Sequence, residues 1–193
     1  LFDETSLDAM LRAGEVTDSY TVLEVGPGLG TLTQKLCQVA KQVVAVELDD
    51  TLAANLQHNL HTSVESTTNL QVVNQSILDF DTSTLPKDYK IIANIPYYLT
   101  SNLIRKMLEN ANPQKIMVLL IQKEVAERIA AIPGNMGILS VATQFYTEAT
   151  LGQVVPAKLF TPAPKVDSQI IHLRRRDDQL FQNIDTDKFF KLV

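Results

Sequence analysis

The chain has 193 residues, 45% of them hydrophobic and 20% charged, which suits one globular domain, or one domain and the start of a second. No apolar run reaches the ~18 residues a membrane helix needs, and no basic start leads into the apolar stretch of a signal peptide. One cysteine, Cys37, excludes an internal disulfide and a multi-cysteine zinc site and fits a reducing compartment; with only three histidines no metal is expected either.

Helical spacing over residues 4–12 opens the chain. Short apolar runs at 21–25, 43–47, 70–73, 90–93 and 116–121 then alternate with helical stretches at 32–40, 50–60, 102–109 and 123–129. A further helix is expected over 137–146. Two β-branched runs follow, 150–155 and 168–173, separated by a proline-rich loop at 156–164. The alternation predicts βαβ units, and so an α/β fold with about seven strands, a mostly parallel sheet and helices on both faces. Arg174-Arg175-Arg176-Asp177-Asp178 reads as a solvated boundary before a new helical unit, or as a phosphate contact. The first residue is not Met and the last ones stop inside an amphipathic pattern, so both ends read as cut.

The formal net charge is −5, unevenly spread: residues 1–150 hold 10 Lys+Arg against 17 Asp+Glu, and residues 151–193 hold 7 against 5. Such a balance does not by itself suggest a nucleic-acid partner.

Two motifs carry chemistry. Glu24-Val25-Gly26-Pro27-Gly28-Leu29-Gly30-Thr31 lies between the first strand and a helix. Glycines there allow a tight turn and close approach of a ligand, and the helix start offers free N–H groups. Glu47 ends the next strand, 21 residues after Gly26, where a carboxylate can accept both hydroxyls of a ribose. The pair fits a nucleotide-like ligand. A dinucleotide fingerprint wants Gly or Ala where Thr31 stands, so the turn is closer to that of methyltransferases that use S-adenosylmethionine. Asp49 and Asp50, just beyond, read as helix caps.

The second motif, Asn94-Ile95-Pro96-Tyr97, follows the fourth strand at the edge where such sheets bind ligands. The exocyclic amine of adenine is a poor nucleophile because its lone pair is delocalised. Two acceptors on its hydrogens, the Asn94 side-chain oxygen and the Ile95 carbonyl, favour a tetrahedral nitrogen with its lone pair aimed at a methyl donor. Pro96 stiffens the loop, and the ring of Tyr97 offers a stacking surface for a flipped base. His58, His61 and His172 read as surface or structural residues, Cys37 as a small core residue, and Lys165 as a phosphate contact.

With these residues in hand, the chain resembles the small-subunit ribosomal RNA adenine dimethyltransferases. Residues 23–30 resemble the family's cofactor turn, residues 44–49 its ribose-binding strand and residues 94–97 its catalytic loop. Residues 122–128, 139–146 and 160–168 are similar to its later helices and proline-rich loop. The resemblance implies a class I methyltransferase domain over residues 1–174, with residues 175–193 opening a helical RNA-binding domain. It implies S-adenosyl-L-methionine as cofactor, held by Leu1, Gly26, Gly28, Gly30, Glu47, Leu48, Ser76, Ile77 and Asn94. It implies catalysis by Asn94, Ile95, Pro96, Tyr97 and Phe160, with Tyr97 and Phe160 enclosing the base. The implied reaction is dimethylation of two adjacent adenosines near the 3′ end of 16S rRNA, within the immature 30S particle, by a cytoplasmic monomer that needs neither metal nor membrane.

The chain departs from the family pattern in three ways. Ser76 stands where an Asp is usual, most of the N-terminal segment that closes the cofactor site is absent, and so is most of the C-terminal helical domain. Competing readings are a resistance-type methyltransferase acting on 23S rRNA, a non-catalytic assembly factor and, further off, a nicotinamide dehydrogenase.

Overall fold

The computed structural model describes residues 3–62 and 68–177. Helix α1 (Glu4–Ala13) leads into β1 (Thr21–Val25), α2 (Thr31–Val39), β2 (Gln42–Glu47), α3 (Asp50–Thr62) and β3 (Leu70–Asn74). Next come β4 (Lys90–Asn94), α4 (Thr100–Glu109), β5 (Ile116–Gln122), α5 (Lys123–Ile129), α6 (Ile138–Tyr146), β6 (Thr147–Val155) and β7 (Ser168–Arg175). The seven strands form one sheet in the order β3-β2-β1-β4-β5-β7-β6. β1 to β5 pair in parallel, and β7 runs antiparallel to both β5 and β6. Among the described residues no helix is long and apolar enough to cross a membrane.

The inner parallel strands β1, β2, β4 and β5 are buried on both faces, as they must be when helices cover each side, whereas β3 is partly open and β6 is largely exposed. Alternate residues serve opposite cores. Leu23, Val44 and Ile91 join one cluster with Leu103 and Met107 of α4 and Ala126 of α5. Val22, Val43 and Ile92 join a second with Leu7 and Met10 of α1 and Leu32 and Leu36 of α2. Among the described residues every expected strand and helix is present. The largest boundary difference is β6, which starts at Thr147, directly after α6 and three residues before its β-branched run. Thr147-Glu148-Ala149 has little strand preference of its own but pairs with Arg175, Arg174 and Leu173 of β7. The same pairing carries β7 to Arg175, one residue past the expected domain boundary; the helical unit expected beyond it falls on residues 178–193, outside the described residues.

The arginine run is occupied by the fold. Arg174 pairs with Glu15, Arg175 donates to the Leu108 carbonyl at 3.1 Å, and Arg176 donates to the Gln144 carbonyl at 2.9 Å. Arg174 and Arg175 lie within β7 and all three arginines are half-buried, so the run is tied into the domain and is not the freely solvated segment expected. Cys37 packs at the margin of the second cluster, where burial pushes its thiol up to about 12. Asp49 accepts from Leu52 N at 2.9 Å and so caps α3, as expected.

Candidate functional site

The C-terminal ends of β2, β1 and β4 are neighbours in the sheet, so Glu47, the glycine turn and Asn94 arrive at one edge. Gly26, Gly28 and Gly30 all have positive φ, at 64°, 57° and 84°. At Gly28 the space does not demand glycine: apart from its own residue and chain neighbours, no protein atom lies within 4 Å of where a Cβ would sit. The backbone demands it, because a left-handed conformation costs other residues about 1–2 kcal/mol. This conformation lets Gly28 N donate to Glu47 Oε2 at 3.1 Å. Asp49 N donates to the other oxygen, Oε1, at 3.0 Å. Two main-chain groups thus fix the carboxylate, and each oxygen keeps a further lone pair. Asn74 closes the corner from β3, donating to the carbonyls of Glu47 and Leu48 at 3.0 and 3.3 Å. Gly30 is the N-cap of α2 and supplies no side-chain cap, so the start of that helix keeps donors for a ligand.

Behind the turn lies a cavity of about 190 Å³, lined by Leu7, Glu24, Gly26, Gly28, Asn94 and Thr161 among others. Glu24 is fully buried at the end of β1, and its Oε2 has no hydrogen-bond partner. Burial pushes its carboxyl up to about 8; the Thr33 hydroxyl works against this, and the Glu47 charge adds to it. Sequence reasoning assigned Glu24 no role. The available signal was one charged residue inside the otherwise apolar, fully buried stretch of β1.

Asn94 ends β4 and is half-buried, while the Ile95 side chain is 3% exposed and anchors the loop in the first core cluster. Pro96 opens a short 3-10 turn over Tyr97–Leu99. Tyr97 is half-buried, and its hydroxyl lies 2.9 Å from Ser168 Oγ at the start of β7. Phe160 follows a second 3-10 turn, Ala157–Leu159, and packs against the second core cluster.

The remaining expected cofactor residues differ in what they present. Leu48 is 66% exposed at the rim beside Glu47. Ser76 Oγ accepts from Leu78 N at 3.2 Å and stays partly open. The Ile77 side chain is committed to the first core cluster, which leaves its main chain to meet a ligand. Leu1 lies outside the described residues. Lys165 is exposed in the proline-rich loop and His58 is exposed on α3, while the side chain of His61 lies outside the description.

A family model described as ribosomal RNA adenine dimethylase matches residues 1–193. The ribosomal RNA small subunit methyltransferase A of Clostridioides difficile is 39% identical over 201 residues, covering all of this chain and 68% of that protein. Among solved structures, a dimethyladenosine transferase from Plasmodium falciparum is 30% identical with a TM-score of 0.87, over all of this chain and 68% of its own. The 23S rRNA methyltransferase ErmE is also 30% identical, with a TM-score of 0.86, over 98% of this chain and 75% of its own.

Proposed function

The chain belongs to the ribosomal RNA adenine dimethylase family, and we propose that it dimethylates the N6 amines of two adjacent adenosines near the 3′ end of 16S rRNA, using S-adenosyl-L-methionine. One observation carries this reading: the glycine turn, Glu47 and Asn94 converge at a single edge of the sheet, with Glu24 in the cavity behind them.

The residues present fit this cofactor. Glu47 has two oriented oxygens with lone pairs to spare, which suit the two hydroxyls of a ribose. Glu24 Oε2, buried without a partner in the cavity wall, can face the ammonium of an amino acid, whose positive charge would favour release of the proton that burial keeps on the carboxyl. The positive-φ glycines bring bare backbone to the ligand. When bound, the cofactor supplies an electrophilic methyl on its sulfonium sulfur.

The chain's own task is then to position the amine. Asn94 accepts one amine hydrogen through its side-chain oxygen, and the Ile95 carbonyl accepts the other. Ile95 holds that carbonyl steady because its side chain is locked in the core. Tyr97 and Phe160 stack on the flipped base, at about 1–3 kcal/mol per stacked ring. No strong base is needed, because the proton becomes acidic only after the nitrogen takes the methyl. Orientation of the reactants supplies up to roughly 7–11 kcal/mol in favourable cases.

On the RNA side, Lys165 contacts phosphate, and the segment after β7 begins a helical RNA-binding domain. The enzyme works as a cytoplasmic monomer on the immature 30S particle. Its test is transfer of labelled methyl groups to 30S subunits that lack the modification, with naked 23S RNA in parallel. The expected product is two neighbouring dimethyladenosines in 16S rRNA. Methylation of 23S RNA alone would assign the resistance-type reaction, which the likeness to ErmE supports. Cofactor binding without transfer to either RNA would make the chain an assembly factor.

A further inference from the structure

Among the described residues Tyr97 joins neither of the two main hydrophobic clusters, although Ile95 and Leu99 on either side pack into the first. Its polar anchor is the bond to Ser168 Oγ, 71 residues away in sequence. The bond crosses the end of β5, since β5 separates β4 from β7 in the sheet. Ser168 is itself fixed: it is fully buried and pairs with Gln122 of β5 on one side and Val155 of β6 on the other.

The residue before it performs a matching task. Asp167 Oδ1 accepts from Ala157 N at 2.9 Å, at the first residue of the turn that ends in Phe160. Phe160 N in turn donates to the Ala157 carbonyl at 3.1 Å. The Asp167 carbonyl accepts from Lys123 N at 3.0 Å and ties the pair to the start of α5. Two consecutive residues therefore hold the two ring-bearing segments, one each.

We propose that Ser168 is a positioning residue for the target base: it holds the ring of Tyr97 in register with the segment bearing Phe160, so that a flipped adenine meets a preset slot. This rests on the reading of Tyr97 as a stacking platform. It adds to the stacking surface of the Tyr97 ring a task for its hydroxyl, which orients the ring.

The experiment is a double-mutant cycle in the intact enzyme on 30S subunits, with cofactor affinity measured alongside. Ser168→Ala and Tyr97→Phe remove the same bond from opposite ends, and the second alters only a half-exposed residue. Each is expected to lower kcat/KM for RNA by about 3- to 10-fold, the scale of one hydrogen bond, with the cofactor Kd unchanged. The double variant is expected to be no worse than either single one, and Ser168→Thr to recover most of the loss. RNA carrying 2-aminopurine at the target position should be quenched less by Ser168→Ala than by the native enzyme. Losses that add in the double variant, or full activity in Ser168→Ala, would overturn the proposal. Full activity in Tyr97→Ala would instead remove Tyr97 as a platform, and the proposal with it.

Discussion

The two halves of the site are built by different means. The half proposed to hold the cofactor, where β1 meets β2, is made of main chain: positive-φ glycines and two backbone N–H groups that hold one carboxylate. The half assigned to the base, from β4 across to β7, is positioned by side chains, through Tyr97 on Ser168, Asp167 on the Ala157 turn and Ile95 in the core. A main-chain site is stiff and indifferent to most neighbouring side chains. A site held by side chains across loops can be retuned by single substitutions. Changes in the first half should therefore act on cofactor affinity, and changes in the second on transfer.

The largest expected effect is in the second half. Asn94→Ala should lower kcat on 30S subunits by about 10²–10³, the scale seen when one group aimed at the reacting centre is removed. The fold should survive, because Asn94 is half-buried and lies at a strand end. Single-turnover kinetics with circular dichroism would check both parts, and turnover close to the native rate would rule out Asn94 as the acceptor.

Next comes the first half. Glu47→Ala should weaken cofactor binding by about 1.5–3 kcal/mol, the range for hydrogen bonds to a charged group. It also frees Gly28 N and Asp49 N and so loosens the turn. Titration calorimetry reads this directly, and unchanged affinity would take Glu47 out of the site.

Glu24 yields a dependence on pH. Folded, its carboxyl keeps the proton up to about pH 8, whereas unfolded it releases it near 4.5. Between these values the unfolded chain binds fewer protons. Glu24's contribution to stability is therefore full below 4.5 and is lost as pH rises through 8, by at most about 1.4 kcal/mol per unit. Glu24→Gln should flatten that slope, matching the native chain near pH 4 and exceeding it in Tm above pH 8. In the same variant the cofactor should bind more weakly. Parallel melting curves across the range would place the Glu24 proton elsewhere.

The smallest effect expected is at Ser76. Its hydroxyl already accepts from Leu78 N at 3.2 Å. In Ser76→Asp one carboxylate oxygen would keep that bond, and the other would face the adenine amine with charge assistance. Cofactor affinity should rise a few-fold, and a fall would mean that Ser76 serves the loop alone.

How much of this was legible in the sequence follows the same division. The fold was readable because parallel strands are continuous apolar runs and the crossover helices keep their own period, so β1 and α5 have the ends their pattern implies. The meeting of the glycine turn with Glu47 was readable because it is local: the turn is contiguous, and Glu47 ends the very next strand. Ser168 was not readable as a partner of Tyr97, because nothing in a serine at the start of a strand names a tyrosine 71 residues earlier. Glu24 stood inside the quoted motif, yet its isolation emerges only once burial leaves Oε2 without a partner. The start of β6 was misjudged because pairing with β7 overrides the weak preference of Thr147-Glu148-Ala149.

The most direct test of the division is Tyr97→Ala, with cofactor Kd and the rate of transfer to 30S subunits measured on the same preparation. The account predicts a Kd within about twofold of native and a loss of roughly 5- to 150-fold in transfer, since stacking on the base is worth about 1–3 kcal/mol. A weakened Kd with transfer restored at saturating cofactor would contradict it, because Tyr97 would then belong to the cofactor half.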